Sequence, residues 1–312
     1  MPEENILREV IIIGSGPAGY TAGIYTARAG LKPLLIASAV EAGGELMKTT
    51  EVENYPGFID GIQGPELMNN FQLQAERFGT EILYDDVVEV DLTGDVKIVK
   101  TGGGQTFEAK TVILATGAAY RELGLPREKE LSGHGVSWCA TCDGFFFRDK
   151  TIAVAGGGDS AMEEALFLTR FAAKVYVIHR RDTFKASKIM QQRVFDHPKI
   201  EVIWNHEITE LKGAANLDGL VLTNTVDGTT KDLAVEGLFI AIGNDPRVWL
   251  VENQINITPE RFIEVEGRSS KTSLPGVFAC GDVIDPTYRQ AITAAGSGCV
   301  AALDAEHFLS NH

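Results

Sequence analysis

The sequence predicts an α/β protein of two three-layer units, with the second unit inserted into the first. A short apolar strand, a glycine-rich turn and a helix follow one another twice, starting at residues 10–13 and 151–155. About twenty residues later each succession reaches another buried-strand pattern, at residues 33–36 and 174–178. Such repeats are typical of parallel sheets covered by helices, so we predict two Rossmann-like dinucleotide-binding domains.

The first glycine-rich turn, residues 14–19, has the pattern G-x-G-x-x-G and precedes a predicted helix over residues 20–29. Its glycines permit a tight turn and the close approach of a pyrophosphate, while the helix N-terminus supplies N–H donors. A glycine turn without a ligand is the alternative, which the strand-turn-helix setting disfavours. The acidic residue that normally binds a ribose is missing at residues 36–38, and the nearest acids are Glu41 and Glu45.

The second turn, residues 156–161, has the variant pattern G-x-G-x-x-A and precedes a predicted helix over residues 160–171. His179-Arg180-Arg181 ends the next strand, and Lys185 follows. These positive charges lie where an acidic residue would bind the ribose of NAD. Guanidinium groups match the oxygens of the extra 2′-phosphate of NADP. The cluster therefore predicts NADPH in preference to NADH, with a solvated basic turn as the alternative.

Further strands complete the predicted units. Residues 87–100 and 200–212 have the pattern of antiparallel strands, which we expect to form secondary sheets that cap the two units. Residues 277–282 resemble one more buried strand, which could close either unit, and a helix of small residues follows from Arg289.

Glycine-containing crossings at residues 115–118 and 242–246 bracket the second unit. We therefore predict a discontinuous first domain of residues 1–117 and 246–312, and an inserted second domain of residues 118–245.

The composition limits the classes of function. The 312 residues are 44% hydrophobic and 23% charged, which is typical of a globular protein. The net charge of -15 disfavours nucleic acid and anionic membranes as partners. No apolar run is long enough to span a bilayer, and the acidic residues 3–4 are unlike a signal peptide, so we expect a cytoplasmic protein.

Cys139 and Cys142 form a C-x-x-C motif in a chain of four cysteines. Four cysteines are too few for a disulfide scaffold, so a close pair indicates catalysis or metal binding. The two-residue gap permits a small-ring disulfide, and such motifs commonly lower the pKa of one thiol. Asp143 follows directly, and its carboxyl can act as a general acid toward a departing thiolate if burial raises its pKa.

Other interpretations of the cysteines stay open. Half of a zinc site would need two more ligands, but Cys280 and Cys299 lack a histidine at the required spacing. An inert buried pair is the second alternative. We predict no metal, and we expect Cys280 and Cys299 to pack as small apolar residues.

The chain resembles the low-molecular-weight thioredoxin reductases from about residue 8 to residue 310. The motifs that carry the resemblance are GSGPAG at 14–19, EVENYPG at 51–57, ATG at 115–117, CATCDG at 139–144, GGGDSA at 156–161, HRR at 179–181, AIGNDP at 241–246, GDV at 281–283 and RQAITAAGSG at 289–298. The family usually has arginine at the position of Lys185, and lysine offers a point charge without the bidentate fork.

The resemblance implies FAD in the discontinuous domain and NADPH in the inserted one. The residues implied for FAD are Ser15, Gly16, Pro17, Ala18, Gly19, Ser38, Glu41, Gly44, Glu45, Asn54, Val87, Thr116, Gly117, Asp282, Arg289, Gln290, Ala291 and Ile292. Those implied for NADPH are Gly158, Asp159, Ser160, His179, Arg180, Arg181, Lys185 and Ile242.

The resemblance also implies a thioredoxin-disulfide reductase that acts as a homodimer with thioredoxin as its partner. Hydride passes from NADPH to FAD, the electrons pass to the Cys139–Cys142 disulfide, and thiol–disulfide exchange reduces thioredoxin. Cys142 is expected to face the flavin, Cys139 to attack the partner, and Asp143 to transfer a proton. Because the cysteines and the NADPH motif share one domain, we expect rotation about Gly117 and Gly243 to bring each to the flavin in turn.

Three other functions stay open. A flavin reductase of the same fold that serves ferredoxin would lack the cysteine pair. A reductase that serves a peroxiredoxin usually carries an extra N-terminal redox domain. A nucleotide-sensing binding protein with a structural cysteine pair would not be yellow when purified.

Overall fold

The computed structural model describes residues 6–40, 42–49 and 51–312, which form two compact units. Unit 1 comprises Met1–Ala119 and Asp245–His312, and unit 2 comprises Tyr120–Asn244. Unit 2 is thus inserted into unit 1. Both units contain a parallel sheet, which confirms the predicted α/β class.

Strands outnumber helices in the described part of the chain. The strands are β1 Leu7–Ile13, β2 Leu34–Ala37, β3 Glu51–Val52, β4 Ile62–Gln63, β5 Glu81–Tyr84, β6 Val87–Asp91, β7 Lys97–Thr101, β8 Thr106–Leu114, β9 Ala118–Tyr120, β10 Val136–Ser137, β11 Thr151–Gly156, β12 Lys174–His179, β13 Ile200–Trp204, β14 His206–Lys212, β15 Gly219–Asn224, β16 Thr230–Leu233, β17 Gly237–Ala241, β18 Asn244–Pro246 and β19 Val277–Ala279. The α-helices are α1 Pro17–Arg28, α2 Gly64–Phe78, α3 Ala140–Asp143, α4 Asp159–Leu168, α5 Lys188–Phe195 and α6 Ala291–Asn311.

The main sheet of unit 1 has the order β5-β2-β1-β8-β7-β6, with β19 also paired to β8. Strand β8 is long enough for two strands, β7 and β19, to pair with different parts of it. Its first half pairs antiparallel with β7, and residues 112–114 pair parallel with β19. The predicted strand at residues 277–282 therefore closes unit 1. The expectation of a separate capping sheet at residues 87–100 is wrong, because β7 pairs with β8 and β6 pairs with β7, so both strands belong to the main sheet.

Alternating side chains of the unit 1 sheet face two different layers. Val10 and Ile12 pack with residues of helices α1, α2 and α6 on one face. Ile11 and Ile13 pack on the other face with β6, β7 and the segment that contains Val248 and Ile263. The sheet is therefore buried on both sides, as its continuous apolar strands predict.

Unit 2 has a parallel sheet of order β10-β17-β11-β12-β13 between α4 and α5 on one face and the β14-β15-β16 sheet on the other. The expectation of antiparallel strands throughout residues 200–212 is wrong. Strand β13 pairs parallel with β12, and only β14 pairs antiparallel, with β15. Asn205, with φ of 55°, separates β13 from β14 and redirects the chain, which an alternating pattern cannot reveal.

The bounds of three helices differ from the prediction. Helix α6 begins at Ala291, two residues after the expected start at Arg289. Helix α1 begins three residues earlier than expected, because Pro17 has a backbone conformation suited to the first helical turn. Helix α4 ends at Leu168, before the predicted end at residue 171. Within the described ranges, no helix is both long and apolar enough to cross a membrane.

Candidate active site

The two cysteines of the C-x-x-C motif form a disulfide at the start of helix α3. Cys139 and Cys142 are bonded, with their Cα atoms 5.3 Å apart. Cys139 occupies the N-cap position, where its sulfur accepts the N–H of Cys142 at 3.2 Å. Cys142 is exposed and Cys139 is half-buried. Exposure alone therefore favours Cys142 for attack on a partner, whereas N–H donation favours a thiolate at Cys139 after reduction.

Asp143 is half-buried directly beside the disulfide. Burial raises the pKa of Asp143, and a hydrogen bond from the Ser137 hydroxyl opposes that rise. A carboxyl with a raised pKa keeps its proton closer to neutral pH, which a general acid requires. Ser137 was not predicted as a site residue, although its position two residues before Cys139 is the one signal that the sequence offers.

The aromatic ridge, which we define as Phe145 and Phe146, lies directly after the disulfide. The two side chains are 53% and 42% exposed. Phe145 is held edge-on by Phe171 and lies under the guanidinium of Arg148. Exposed, ordered aromatic rings beside a reactive disulfide form a suitable contact surface for a protein partner.

The two remaining cysteines have different surroundings. Cys280 is fully buried, which raises the pKa of its thiol to about 12. Cys299 is half-buried on α6 and hydrogen-bonds Tyr25 of α1, so its expected role as a small apolar residue describes it only in part. In the part of the chain that the structure describes, no group of three His, Cys, Asp or Glu side chains is placed to hold a metal.

The first glycine turn leaves space in front of helix α1. A Cβ at Gly14 would lie 2.2 Å from the carbonyl oxygen of Ala115, and one at Gly19 would lie 2.0 Å from that of Gly14, so both glycines are needed for packing. A Cβ at Gly16, by contrast, would have no atom of the described residues within 4 Å. Gly16 is the N-cap of α1, and this open N-terminus is suited to a pyrophosphate.

Several residues implied for FAD meet in unit 1. The Ser15 hydroxyl accepts the N–H of Gly43 at 3.0 Å, which brings the segment with Gly44 to the glycine turn. Asn54 donates to the side chain of Gln290 at 3.3 Å. Pro17, Ala18 and Gly19 open α1, and Ala291 and Ile292 open α6.

Arg247 is a residue of this region that the sequence did not reveal. Its guanidinium binds Glu45 at 2.7 Å, and its backbone accepts the Thr116 hydroxyl and donates to Gly117. Arg247 therefore ties two predicted segments together. Glu45 is engaged by this ion pair.

The other residues implied for FAD are placed as follows. Val87 is buried in the core, Ser38 lies half-buried after β2, and Arg289 donates its N–H to Asp285. Glu41 lies outside the described residues.

Asp282 lies half-buried between β19 and α6. Burial raises its pKa to about 6, and the nearby Asp285 adds to the rise, while Arg289 and Arg247 oppose it. The carboxylate is thus disfavoured in the folded chain, where a hydroxyl donor of a ligand would stabilise it.

Replacing Asp282 with asparagine is expected to stabilise the ligand-free protein near pH 7.5. The folded-state pKa is raised, so the destabilisation develops as the pH rises from about 4 to about 6 and is absent at lower pH. The gain in the free energy of unfolding is about 3 kcal/mol at pH 7.5 and about half of that at pH 5. Urea titrations at both pH values measure it, with the exposed Asp60→Asn as the control. An equal gain at both pH values would contradict the assignment.

The second glycine turn repeats this arrangement in unit 2. A Cβ at Gly156 would lie 2.5 Å from the carbonyl oxygen of Ala241, and one at Gly157 would lie 2.3 Å from the ring of His179. A Cβ at Gly158, the N-cap of α4, would have no atom within 4 Å in the described residues. Asp159 and Ser160 open that helix. The open N-terminus again suits a phosphate.

The basic cluster, which we define as Arg180, Arg181 and Lys185, is exposed and attached to this turn. The N–H of Lys185 donates to the carbonyl of Gly157 at 2.8 Å, and the Asp159 carboxylate accepts two hydrogen bonds from Ser187. The glycine turn and the basic cluster therefore form one hydrogen-bonded structure.

His179 differs in role from its neighbours. Its ring hydrogen-bonds the Gly156 carbonyl at 3.0 Å, and burial lowers its pKa. His179 therefore supports the turn as a neutral ring and leaves the charge to the basic cluster. Ile242 is half-buried against the core of unit 2.

Residues 8–298 match the family model described as pyridine nucleotide-disulphide oxidoreductase. The chain is 61% identical over 304 residues to a protein of Streptomyces coelicolor named thioredoxin reductase, covering 97% of this chain and 94% of the relative. It is 56% identical over 306 residues to a protein of Mycobacterium leprae named bifunctional thioredoxin reductase/thioredoxin, covering 98% of this chain and 67% of the relative. The solved structure of thioredoxin reductase from Streptococcus pyogenes is 42% identical, with a TM-score of 0.93, covering 99% of this chain and 100% of that one.

Proposed function

We propose that this chain, which belongs to the pyridine nucleotide-disulphide oxidoreductase family, reduces the disulfide of thioredoxin with electrons from NADPH. The observation that carries the proposal is the Cys139–Cys142 disulfide followed by the half-buried Asp143, in a unit that also has an open glycine turn with a basic cluster. The bifunctional name of the Mycobacterium leprae relative supports thioredoxin as the partner.

FAD is the cofactor that we assign to unit 1. The open turn at Gly16 and the N-terminus of α1 would hold its pyrophosphate. Asp282 would accept a ribityl hydroxyl, and Gln290 with Ala291 would hold the flavin side. When bound, FAD accepts a hydride and passes two electrons to a disulfide.

NADPH is the electron donor that we assign to unit 2. The open turn at Gly158 would bind the pyrophosphate, and the basic cluster would bind the extra phosphate. The alternation expected about Gly117 and Gly243 stays a prediction. Both glycines have positive φ, of 71° and 108°.

The residues of this chain then carry the exchange chemistry. Two electrons break the disulfide bond and leave Cys139 and Cys142 reduced. The Cys139 thiolate attacks the thioredoxin disulfide, so one S–S bond forms as the other breaks, and Asp143 gives its proton to the departing thiolate. Cys142 then attacks the sulfur of Cys139, which regenerates the disulfide and releases reduced thioredoxin.

The ferredoxin alternative is not favoured, because the disulfide is present and the relatives are named thioredoxin reductase. The homodimer expected from the resemblance stays a prediction, which sedimentation of the purified protein would test.

NADPH-dependent thiol production with oxidised thioredoxin tests the function directly. We expect rapid thiol formation with NADPH and slow formation with NADH. If NADPH reduced the flavin but no thiol formed, the assignment of the two cofactors would stand and thioredoxin would be excluded as the partner.

Alanine replacement of both Phe145 and Phe146 is expected to raise the KM for thioredoxin about tenfold, while flavin reduction by NADPH stays unchanged. Loss of buried aromatic contact in an interface weakens binding by about 1 to 2 kcal/mol. Val226→Ala is the control, because Val226 is 78% exposed on a hairpin of the same unit. An unchanged KM in the double variant would exclude the aromatic ridge from the contact surface.

A further inference from the structure

Thr141 lies between the two cysteines, as the second residue of helix α3. The residue is exposed, and its hydroxyl oxygen is 3.4 Å from the sulfur of Cys139. That sulfur is bonded to the sulfur of Cys142 and therefore carries no hydrogen. In this contact the hydroxyl is thus the donor of the hydrogen bond, and the sulfur is the acceptor.

The sulfur of Cys139 accepts a second hydrogen bond, from the backbone N–H of Cys142 at 3.2 Å. A disulfide sulfur is a weak acceptor, whereas a thiolate has a full negative charge and accepts hydrogen bonds strongly. In the oxidised chain, two donors therefore already contact the atom on which a negative charge develops after reduction. Donors that are in place before the charge forms need no reorganisation to stabilise it.

The elements beside this sulfur offer it no positive charge. Helix α3 packs against α4 and against the 3-10 helix Gly144–Phe147, and strand β10 precedes α3. None of these elements, all of which lie within the described residues, contains a lysine, an arginine or a histidine. Besides Cys142, their titratable side chains are the acids Asp143, Asp159, Glu163 and Glu164. From these elements, a thiolate at Cys139 is stabilised by neutral hydrogen-bond donors and not by an ion pair.

We propose that Thr141 is a catalytic residue whose hydroxyl stabilises the thiolate of Cys139 by donating a hydrogen bond to its sulfur. The inference rests on the proposed function, in which electrons from NADPH reach the disulfide. The S–S bond takes up two electrons and one proton, so that Cys142 becomes a thiol and Cys139 a thiolate. Cys139 then bonds to one sulfur of thioredoxin, and the charge leaves with the other thioredoxin sulfur. Thr141 keeps its own proton throughout.

The test uses the full-length holoenzyme with Cys142→Ser, in which Cys139 is a free thiol. Iodoacetamide alkylates the thiolate form, and mass spectrometry of the digested protein measures the rate at Cys139 alone. A donor to the thiolate raises the ionised fraction at pH 6, whereas at pH 9.5 most of the thiol is ionised with or without it. Adding Thr141→Val should therefore lower the ratio of the rates at pH 6 and pH 9.5 about fivefold. Adding Thr141→Ser, which keeps the hydroxyl, should restore the ratio.

Thr209→Val is the matched control for loss of a threonine hydroxyl. Thr209 is exposed in the same unit, and its hydroxyl hydrogen-bonds the hydroxyl of Thr223 at 2.9 Å. Because this contact lies on strands β14 and β15, away from helix α3 in the chain, Thr209→Val should leave the ratio at Cys139 unchanged.

The pH dependence of thioredoxin reduction gives a second readout. With both cysteines present, Thr141→Val should lower kcat/KM for thioredoxin about threefold at pH 6. The deficit should disappear as the pH rises, because the thiol then ionises without the hydroxyl. A loss of equal size at every pH would indicate a structural role for Thr141 and would overturn the proposal.

The two proposals fail in different ways. If the unchanged protein does not reduce thioredoxin, the proposed function falls, but the alkylation ratio still tests the hydrogen bond from Thr141 to Cys139. If Thr141→Val leaves that ratio unchanged, the role of Thr141 is overturned. An equal fall with Thr141→Ser and Thr141→Val would also overturn it, because the hydroxyl would then not be the cause.

Discussion

Replacing Cys139 with serine is expected to lower thioredoxin reduction by about a thousandfold or more. A serine hydroxyl stays protonated at neutral pH and is a poor nucleophile toward sulfur, so neither the disulfide nor the mixed disulfide can form. Flavin reduction by NADPH precedes these steps and should persist. Stopped-flow absorbance of the flavin and steady-state thiol production measure the two reactions in one preparation.

Cys142→Ser distinguishes the roles of the two thiols. The free Cys139 would attack thioredoxin, and the missing Cys142 could not release it, so a covalent complex should accumulate and be visible by mass spectrometry. Cys299→Ser is the control for loss of a thiol elsewhere, and it should retain turnover. If Cys139→Ser trapped thioredoxin and Cys142→Ser did not, the assignment of the two thiols would be reversed.

The strands of the core were predictable because their burial follows from local composition. Strands β1, β2, β11 and β12 each contain a continuous apolar run, and such a run can be recognised without knowing which strand lies beside it. Which strands pair with each other in a sheet, by contrast, does not follow from local composition. The membership of β6 and β7 in the main sheet depends on the length of β8, and the local pattern of residues 87–100 contains no information about it.

The residues of the candidate site also differ in whether local sequence predicts them. Both glycine turns, the cysteine pair and the basic cluster are compact motifs, so their positions could be predicted from spacing. Arg247 could not, because its partner Glu45 lies 202 residues away in the chain. Ser137 could not, because a serine near a cysteine shows its importance only when its burial and its hydrogen bond with the N–H of Cys139 are known.

Alanine replacement of both Arg180 and Arg181 is expected to remove the preference for NADPH over NADH. Hydrogen bonds to charged groups contribute about 1.5 to 3 kcal/mol each, so loss of two should raise the KM for NADPH more than a hundredfold. The KM for NADH should change little, since NADH lacks the 2′-phosphate.

Two further variants define the origin of this effect. Arg193→Ala removes an exposed charge from helix α5 of the same unit and should leave both KM values within about twofold, because surface charges act weakly at a distance. Lys185→Arg adds a bidentate fork and should lower the KM for NADPH alone, by about threefold. If the double alanine variant weakened NADPH and NADH equally, the basic cluster would act on the shared pyrophosphate. The glycine turn binds both nucleotides through the same N–H groups and cannot distinguish them. Equal weakening would therefore contradict the proposed role of the basic cluster in selecting NADPH.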